Sequence, residues 1–553
     1  MKRNELEFNL RKLFASLLVA GAILYGPMVM ADETETMKKE VETLKKEMAD
    51  LGSRVDKTEM HTATDKLALG YELKTTAWSI HQKDALTAPS ALVNGFFANF
   101  DGTPFGGFNG ATLEQFQSAL GNMAMAGMIP KAETYDADND IIYTSRFRMT
   151  MKSKVNNNLN FMGRLSAYKV WGDSTGVNFN HGGMSDVSLD GTTASVPRGD
   201  AVHLERAYMN YKNTIGEVPY NFSLGRRPST EGPPLEYGAN SLEGGSPFGA
   251  VINWQFDGAS LSFDLEEVTG VPGSSFKLCY GLGFESDYGN SGAMASNPQV
   301  DDVHLMGFIS ELYNNDVTSI GLMYAYAPGL TDGFAGTTVM PFIVSKMDMN
   351  KDGVSEYYFE PNSGAYISRM EPSENIGDWQ AASLLLRTTP EILNGTHLFL
   401  SGSWSNTNPS NISKIPFYEM MGMGLLSSNG DLSNHDGYSL YTGCQIPMPG
   451  QGALGLEYNW GSKYWFNFTG AEDSLAGSKL AARGQVFEAY YHQPVVGDHF
   501  FLTAGGRYYD YEYTGSGNPL GAPVKIDDVM ATDALFPVTD TVWDIYLSAT
   551  MKF

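Results

Sequence analysis

The chain has 553 residues and a formal net charge of −26 at pH 7, and only 18% of its residues are charged whereas 12% are aromatic. Glycine, asparagine and serine are abundant, and the pattern lacks the long amphipathic helices that are typical of α/β enzymes. This composition argues against an α/β enzyme and favours a β-sheet protein.

The N-terminal 31 residues have the three parts of a bacterial secretion signal. The basic segment "MKRNELEFNLRK" precedes the apolar run "LFASLLVAGAILYG", and Val29 and Ala31 occupy the small-residue positions of a cleavage site. We expect a signal peptide over residues 1–31 that is removed after Ala31. Later segments lack the roughly 20 continuous apolar residues that a membrane-spanning helix needs, so the exported chain is either soluble or enters a membrane as a β-barrel.

Residues 32–66 carry the apolar spacing of a coiled coil. Apolar residues recur at alternating intervals of four and three, with Lys and Glu on the flanks. We expect a periplasmic coiled-coil segment that forms a trimeric stalk, because tethering to a membrane-bound trimer would hold three copies at high effective concentration. A solvated, partly helical spacer is the alternative. The seam consists of Met37, Val41, Leu44, Met48, Leu51 and Val55.

Segments of alternating apolar and polar character recur along residues 67–553 and predict antiparallel strands. There are seventeen candidates, whereas a bacterial barrel with both termini in the periplasm needs an even number, and the parity breaks within 248–302. We therefore predict an all-β transmembrane antiparallel β-barrel of 16–18 strands, with 16 favoured. The candidates are 67–79, 141–154, 159–171, 202–213, 219–227, 248–256, 259–267, 276–286, 303–313, 317–326, 379–389, 395–405, 438–446, 452–460, 483–492, 499–513 and 541–553.

The connections between these candidates alternate in length. Short polar turns such as "VNNNL" at 155–159 and "PMPGQG" at 447–452 alternate with long connections such as 327–377 and 514–540. This asymmetry is typical of an outer-membrane barrel, which has short periplasmic turns and long external loops. Aromatic-rich strand ends such as "GSKYWFNF" and "RYYDYEY" fit the aromatic girdles of such a barrel, and a secreted β-sandwich is the alternative.

A long insertion at residues 80–140 follows the first candidate strand. It contains the apolar run "ALVNGFFANF" and the segment "TLEQFQSALGNMAMAGM", which predicts a helix. A loop of this length is normally functional or folded on itself. It either enters the lumen and narrows it, covers a trimer contact, or forms an external cap on neighbouring loops, and the sequence does not choose between these arrangements.

Basic side chains alternate with apolar ones on the candidate strands between residues 141 and 227. Because a cation that faces lipid at mid-membrane costs roughly 2–4 kcal/mol, we expect these side chains to face the lumen. They would form a basic wall that attracts anions. Alternatively, they pair with carboxylates from an inserted loop, such as the acidic segment 133–140. The predicted lumen residues are Arg146, Arg148, Lys152, Arg164, Arg206 and Arg227.

The segment "DMNKDGVSE" contains half of a calcium-binding loop. Asp348, Asn350 and Asp352 stand at positions 1, 3 and 5 and Glu356 at position 9, but Phe359 replaces the glutamate expected at position 12. A structural Ca²⁺ site in an external loop is therefore one interpretation, and a turn held by Asx hydrogen bonds is the other. We expect no other cofactor.

Few residues suggest redox or catalytic chemistry. Cys279 and Cys444 are predicted on separate strands with opposite orientations, so we expect no disulfide. The sequence has no C-x-x-C-H motif for covalent haem, although a barrel that sheathes a partner cytochrome in an electron conduit is an alternative function. The histidines are scattered without a Ser–His pairing or a metal-ligand cluster, so an outer-membrane enzyme is the less favoured alternative and no catalytic residue is predicted.

The last segment, "DTVWDIYLSATMKF", has apolar residues at alternate positions and ends on Phe553. It resembles the C-terminal signal that the barrel-assembly machinery reads in Gram-negative outer-membrane proteins. Pairing of this strand with the first strand would close the barrel and remove an edge that lipid cannot satisfy.

Together with "GRLSAYKVWGDST", "ERAYMNY" and "SLGRRPSTEGPP", this terminal strand carries a resemblance to Gram-negative outer-membrane porins, and more narrowly to an uncharacterised porin-like family with an N-terminal coiled coil. The resemblance covers most of residues 67–553. It implies an outer-membrane homotrimer in contact with lipid and lipopolysaccharide, and passive diffusion of small hydrophilic solutes without a cofactor. We expect no nucleic-acid partner and no enzymatic activity.

Overall fold

The computed structural model describes residues 45–46, 67–103, 106–172, 202–241, 244–286, 300–333, 336–339, 342–364, 367–370, 372–470 and 474–553. The chain divides into two compact units, Met1–Lys66 and Leu67–Phe553. In the first unit Lys45 and Lys46 are helical, and the predicted signal peptide (1–31) and the rest of the predicted coiled coil (32–66) lie outside the described residues.

The second unit is a closed antiparallel β-barrel. Its strands are β1 (Leu67–Thr87), β2 (Glu133–Lys154), β3 (Leu159–Val170), β4 (Val202–Ile215), β5 (Val218–Arg227), β6 (Phe256–Asp264), β7 (Ser275–Phe284), β8 (Val303–Asn314), β9 (Thr318–Thr331), β10 (Asn375–Thr388), β11 (His397–Pro409), β12 (His435–Met448), β13 (Gly452–Gly461), β14 (Gly484–Val496), β15 (Phe500–Tyr511) and β16 (Thr541–Lys552). Each strand pairs with its neighbours in sequence, and β1 pairs with both β2 and β16. These sixteen barrel strands of the described chain confirm the predicted fold class and the favoured strand number.

The remaining elements lie in the connections. The helices are α1 (Ser90–Phe97), α2 (Leu113–Met125), α3 (Glu236–Ala239), α4 (Glu266–Thr269) and α5 (Pro416–Met420). The short strands are Ala111–Thr112, Ile252–Asn253, Gly336–Val339, Phe342–Met347, Glu356–Pro361, Ile367–Met370 and Phe468–Thr469, and the 3₁₀ turns are Glu391–Leu393, Pro449–Gln451, Lys479–Ala481 and Ile526–Asp528. Among the described helices, none is long and apolar enough to cross a membrane.

The alternation of side chains gives the barrel an apolar outer surface and a polar inner surface. On β16, Ile545 and Leu547 are 59% and 56% exposed, whereas Asp544 and Ser548 are each 1% exposed. The closing pair is continued by the terminal residue, since the Tyr71 amide donates to the Phe553 carbonyl over 2.8 Å and the Phe553 amide donates to the Tyr71 carbonyl over 3.0 Å. The predicted pairing of the last strand with the first is therefore confirmed.

One of the seventeen strand candidates was wrong. Residues 248–255 of this candidate contain only the two-residue strand Ile252–Asn253, which pairs in parallel with Phe468–Thr469 and not with a barrel strand, and Phe256 begins β6. Val251 and Trp254 of this segment are 0% and 6% exposed. A short, fully buried apolar run gives the same sequence signal whether it lies in a barrel wall or inside the barrel, and this explains the broken parity.

Short and long connections lie at opposite ends of the barrel. The short ones are 155–158, 216–217, 265–274, 315–317, 389–396, 449–451 and 497–499. The long ones are 88–132, 171–201, 228–255, 285–302, 332–374, 410–434, 462–483 and 512–540. The predicted asymmetry of loop lengths thus holds around the whole barrel, and both barrel termini lie at the end with the short turns.

The 80–140 insertion contributes to a cap at the end with the long loops. Both β1 and β2 extend into it, and α1 and α2 pack with α5 and with the strands Phe342–Met347 and Glu356–Pro361 around a shared apolar core. A capping box fixes the start of α2, because Thr112 Oγ1 accepts from the Gln115 amide and Gln115 Oε1 accepts from the Thr112 amide. This packing on neighbouring long loops is what the cap interpretation expects, and the role of the insertion stays a prediction.

Candidate functional site

Two loops, 228–255 and 462–483, enter the lumen of the barrel. Their strands Ile252–Asn253 and Phe468–Thr469 pair with each other. They pack against inward-facing residues of β8 to β10, where Trp379 is fully buried and its Nε1 donates to the Phe466 carbonyl over 3.1 Å. One side of the lumen is therefore largely filled by an apolar core.

Four predicted lumen arginines converge on one carboxylate of loop 228–255. Arg146 and Arg148 of β2, Arg164 of β3 and Arg206 of β4 surround Glu231, at nitrogen–oxygen distances of 3.5, 2.7, 3.7 and 3.9 Å. All four arginines are buried. Burial alone would raise the pKa of Glu231, but the charges of the arginines outweigh this effect and hold its pKa below the usual range.

Two further carboxylates complete this arginine cluster. Arg146 Nη2 donates to Glu72 of β1 over 2.6 Å, and Arg148 Nε donates to Glu205 of β4 over 2.9 Å. Glu205 faces inward beside Arg206 because a bulge between β3 and β4 leaves it without an opposing residue. Four guanidinium groups thus face three carboxylates, so most of the positive charge of this wall is compensated.

The other predicted lumen residues lie outside the arginine cluster. The Arg227 Nε donates to Ser223 Oγ over 3.1 Å, and Lys152 is exposed near the short-turn end of β2. The acidic segment 133–140 does not supply the carboxylates of the cluster, since Asp136 and Asp138 instead pair with Lys83 at 3.0 Å each. These two aspartates lie on the part of β2 that extends into the cap end, so they are out of reach of the arginines.

Sequence reasoning missed the three carboxylates of the arginine cluster. Glu231 lies in a Pro- and Gly-rich loop whose entry into the lumen has no periodic signal. Glu205 is adjacent to Arg206, and strict alternation would have placed the two on opposite faces. Glu72 could have been found, because it lies on the inward face of β1 and is paired in register with Arg148.

Loop 228–255 is also fastened to the wall opposite the arginine cluster. Glu236 Oε1 accepts from Arg387 of β10 over 2.9 Å. The Tyr237 carbonyl accepts from Gln445 of β12 over 3.0 Å and from His492 of β14 over 3.2 Å. The loop therefore crosses the bore and is held on both sides, which makes it a fixed part of the lumen.

A second set of ion pairs holds loop 462–483. Lys479 Nζ pairs with Glu457 of β13 and, at 2.5 Å, with Glu488 of β14. Burial alone would lower the pKa of Lys479, but the two carboxylates outweigh it and raise the pKa. Nearby, Arg507 of β15 pairs with Asp544 of β16 at 2.7 Å. The polar side of the lumen is thus lined by compensated charges.

Two cavities lie along this polar side. The outer cavity has a volume of about 820 Å³ and lies between the cap loops and the barrel, and its charged lining residues in the described chain are Arg483 and Asp533. The inner cavity has a volume of about 170 Å³ and is lined by both lumen loops and by β1, β2, β14, β15 and β16. Its charged lining residues are Glu72, Lys74, Arg146, Glu231, Lys479, Glu488, Arg507 and Lys552.

The half calcium motif forms a turn whose side chains bond to its own backbone. Asp348 Oδ2 accepts from the Gly353 amide over 2.9 Å, Asn350 Oδ1 accepts from the Asp352 amide over 3.2 Å, and Glu356 Oε2 accepts from the Met349 amide over 3.2 Å. In the described residues, no group of three or more His, Cys, Asp or Glu side chains is arranged to hold a metal ion. The geometry matches the Asx-turn interpretation, and calcium binding stays a prediction.

Comparison with solved structures finds distant likenesses to bacterial barrels. The chain is similar to a high-pH structure of Pseudomonas putida OprB (9% identity, 90% of this chain and 96% of that chain, TM-score 0.40). It is also similar to an anion-selective porin from Comamonas acidovorans (11%, 88% and 99%, TM-score 0.39) and to the trimer form of OmpT, an outer membrane protein of Vibrio cholerae (9%, 88% and 99%, TM-score 0.38).

The family comparison gives a direct assignment. No curated protein matches the chain. A family model matches residues 136–553, which span β2 to β16 and both lumen loops. The predicted membership of an uncharacterised family is therefore confirmed: the chain belongs to the family described as "Protein of unknown function (DUF3373)".

Proposed function

We propose that this barrel is an outer-membrane porin that passes small hydrophilic solutes through its lumen. The observation that carries the proposal is the pair of cavities on the polar side of a closed barrel whose outer surface is apolar. An apolar band suits the hydrocarbon core of a membrane, and a polar lumen suits water and dissolved solutes. An outer-membrane location, contact with lipid and lipopolysaccharide, and assembly through the Phe553 strand belong to the same proposal.

The two lumen loops set an upper limit on the size of the solute. A bound water takes up about 30 Å³, so the inner cavity of 170 Å³ has room for roughly five or six waters. A solute of a few heavy atoms would fit without rearrangement of loops 228–255 and 462–483. The proposed passage is therefore narrow, although a barrel of sixteen strands can enclose a wide channel.

A weak anion preference is part of this proposal. The inner cavity is lined by five basic and three acidic side chains. The arginine cluster contributes one basic and two acidic side chains to this lining, so the excess comes from its other residues, which include Lys74 and Lys552. Charged groups that line a narrow passage act on ions at short range, and hence a small excess suffices to bias permeation.

The lumen loops favour a porin over a sheath for a cytochrome. A sheath must leave its bore open for the enclosed protein, whereas loop 228–255 crosses the bore and is tied to β2, β10, β12 and β14.

We propose no catalytic role for the barrel. A homotrimer with an N-terminal stalk is compatible with the proposed function, and cross-linking of intact cells would test it.

Planar-bilayer recording of the purified chain tests the proposed function. We expect discrete ohmic current steps, and in a salt gradient a reversal potential displaced towards that of the anion. An absence of steps at protein levels at which an established porin conducts would contradict the porin proposal. Current steps with a reversal potential displaced towards that of the cation would support the porin proposal but contradict the proposed anion preference.

A further inference from the structure

The outer and inner cavities share two lining residues, both in loop 462–483. Gly477 and Ser478 line both cavities, and they are the residues shared by the two described linings. The outer cavity lies beneath the cap, and the inner cavity reaches Thr550 and Lys552 near the short-turn end of β16. A solute that passed from one cavity to the other would therefore pass these two residues.

The backbone at the first of these residues is open and has a conformation that favours glycine. Gly477 has a φ of +98°, and a Cβ placed on it would meet no atom within 4 Å. Residues that carry a side chain rarely adopt such a φ, and this explains on conformational grounds why glycine occupies position 477. The empty space around the absent Cβ is a separate observation, and it indicates that a side chain at residue 477 would project into the passage.

Hydrogen bonds hold this segment in place. Tyr509, fully buried on β15, donates its hydroxyl to the Gly477 carbonyl over 3.3 Å. Ser478 Oγ donates to Thr469 Oγ1 over 2.9 Å and accepts from the Leu480 amide over 3.3 Å. The adjacent Lys479 is clamped by two carboxylates, as described above. The segment is thus a fixed wall and has the rigidity that size selection requires.

We propose that Gly477 and Ser478 form the throat of the solute passage, at which the size of the solute is selected. This proposal rests on the proposed function. It assigns size selection to loop 462–483, whereas loop 228–255 contributes charged side chains to the inner cavity. Above the throat the lining has one basic and one acidic residue, and below it five basic and three acidic ones. Size and charge are therefore selected at successive points.

Cysteine modification during bilayer recording tests the throat. The background is the barrel with Cys279→Ser and Cys444→Ser, and single cysteines are introduced as Gly477→Cys or Ser478→Cys. A methanethiosulfonate reagent is added at the side of the long loops. The cysteine thiolate attacks the sulfenyl sulfur, methanesulfinate leaves, and a mixed disulfide places the reagent's group at the throat. One anionic and one cationic reagent of similar size separate a steric effect from an electrostatic one.

Gly102→Cys is the matched control. Gly102 also has a positive φ, of +81°, with open space around its absent Cβ, but it lies exposed in loop 88–132 and lines neither cavity. We expect both reagents to reduce the current through either throat variant by more than half and to leave the Gly102→Cys current unchanged. Ser478→Cys keeps the experiment decisive if Gly477→Cys fails to fold, because residue 478 has no conformational need for glycine.

The outcomes separate the two proposals. If the cysteine-free barrel conducts and mass spectrometry shows complete modification at residue 478 without a change in current, the throat is wrong and the porin stands. If the cysteine-free barrel does not conduct, the proposed function is wrong, and the assignment of Gly477 and Ser478 as a throat is then wrong as well. Loss of current with the cationic reagent alone would also overturn size selection at this point.

Discussion

Arg148 of β2 donates a 2.7 Å hydrogen bond from its Nη1 to Oε1 of Glu231, a residue 83 positions later in a lumen loop. The Arg148 side chain is 4% exposed and that of Glu231 12%, and the contact ties loop 228–255 to the barrel wall. Three other guanidinium groups lie within 4 Å of the same carboxylate. Glu231 therefore holds together a set of positive charges that would otherwise repel one another.

Glu231→Gln should loosen loop 228–255. The substitution leaves four buried guanidinium groups facing two carboxylates, and removal of one partner from a buried ion pair typically costs about 3–5 kcal/mol. We expect a lower thermal unfolding midpoint in detergent and a larger or noisier single-channel current. The control is Asp527→Asn, which breaks an exposed pair with Lys525 and should leave the midpoint almost unchanged, because exposed ion pairs contribute little to stability. Equal midpoints for the two variants would contradict the anchoring role of Glu231.

The strands could be predicted from the sequence because each has one face towards the lumen and one towards the exterior. Ile545 and Asp544 show the principle. These adjacent residues are 59% and 1% exposed, and the alternation of apolar and polar residue types in the sequence predicts this difference. The same alternation accounts for the burial of Arg146 and Arg148 on one face of β2. Periodicity is a local property, and the barrel wall is specified locally.

The interior of the lumen could not be predicted in the same way. The contact between Trp379 and Phe466 joins residues 87 positions apart, and the pairing of Ile252 with Phe468 joins two loops that have no periodic pattern. Glu205 was missed because a bulge suspends the alternation that the prediction assumes. Contacts between residues far apart in the sequence produce no pattern within a segment of ten residues. The arginines of the candidate site could therefore be predicted, whereas the loop residues that pair with them could not.

Trp379→Ala should release loop 462–483 from the barrel wall. Trp379 is fully buried, its ring centroid lies 4.6 Å from that of Phe468, and its Nε1 bonds to the Phe466 carbonyl. Truncation of a buried Trp typically costs about 3–5 kcal/mol. We expect a lower unfolding midpoint together with a larger current, because the loop that borders the passage would lose its apolar seat.

Leu384→Ala on the same strand provides the control for Trp379→Ala. Leu384 is 51% exposed on the outer surface and touches neither lumen loop, so its truncation should leave the current unchanged. Trp379→Phe should restore part of the stability because it refills most of the space. A larger current in Leu384→Ala would indicate a general loosening of the barrel and would contradict a specific role for Trp379.

The double variant Lys74→Gln/Lys552→Gln should abolish the anion preference of the passage. It reduces the charged lining of the inner cavity from five basic and three acidic residues to three of each. Lys552 Nζ donates to the Asn240 carbonyl over 3.0 Å, a bond that glutamine can partly replace. In a salt gradient, the reversal potential should move towards zero without a large change in conductance. Lys525→Gln, in an exposed pair on an external loop, should leave the potential in place.

The cap should lose stability at alkaline pH through Tyr418 of α5. Burial, reinforced by the charge of Asp332, raises the pKa of Tyr418 to about 12. The unfolded phenol loses its proton near pH 10, so from pH 10 to 12 the unfolded state binds fewer protons than the folded one and stability falls with rising pH. A shift of about two pKa units corresponds to roughly 3 kcal/mol, fully lost by about pH 12.

Tyr418→Phe tests this dependence because it removes the titrating hydroxyl and keeps the ring. Hydrogen exchange of residues 410–434 should increase between pH 10 and pH 12 in the unmodified chain, after correction for the intrinsic exchange rate. It should increase less in Tyr418→Phe, in which Tyr357 still titrates, because burial and Glu419 raise the pKa of that phenol as well. Tyr358→Phe, on the partly exposed face of a neighbouring cap strand, should retain the original dependence. If all three proteins loosened in parallel over this range, a different group would control the alkaline opening of the cap, and burial of the Tyr418 phenol would not be its cause.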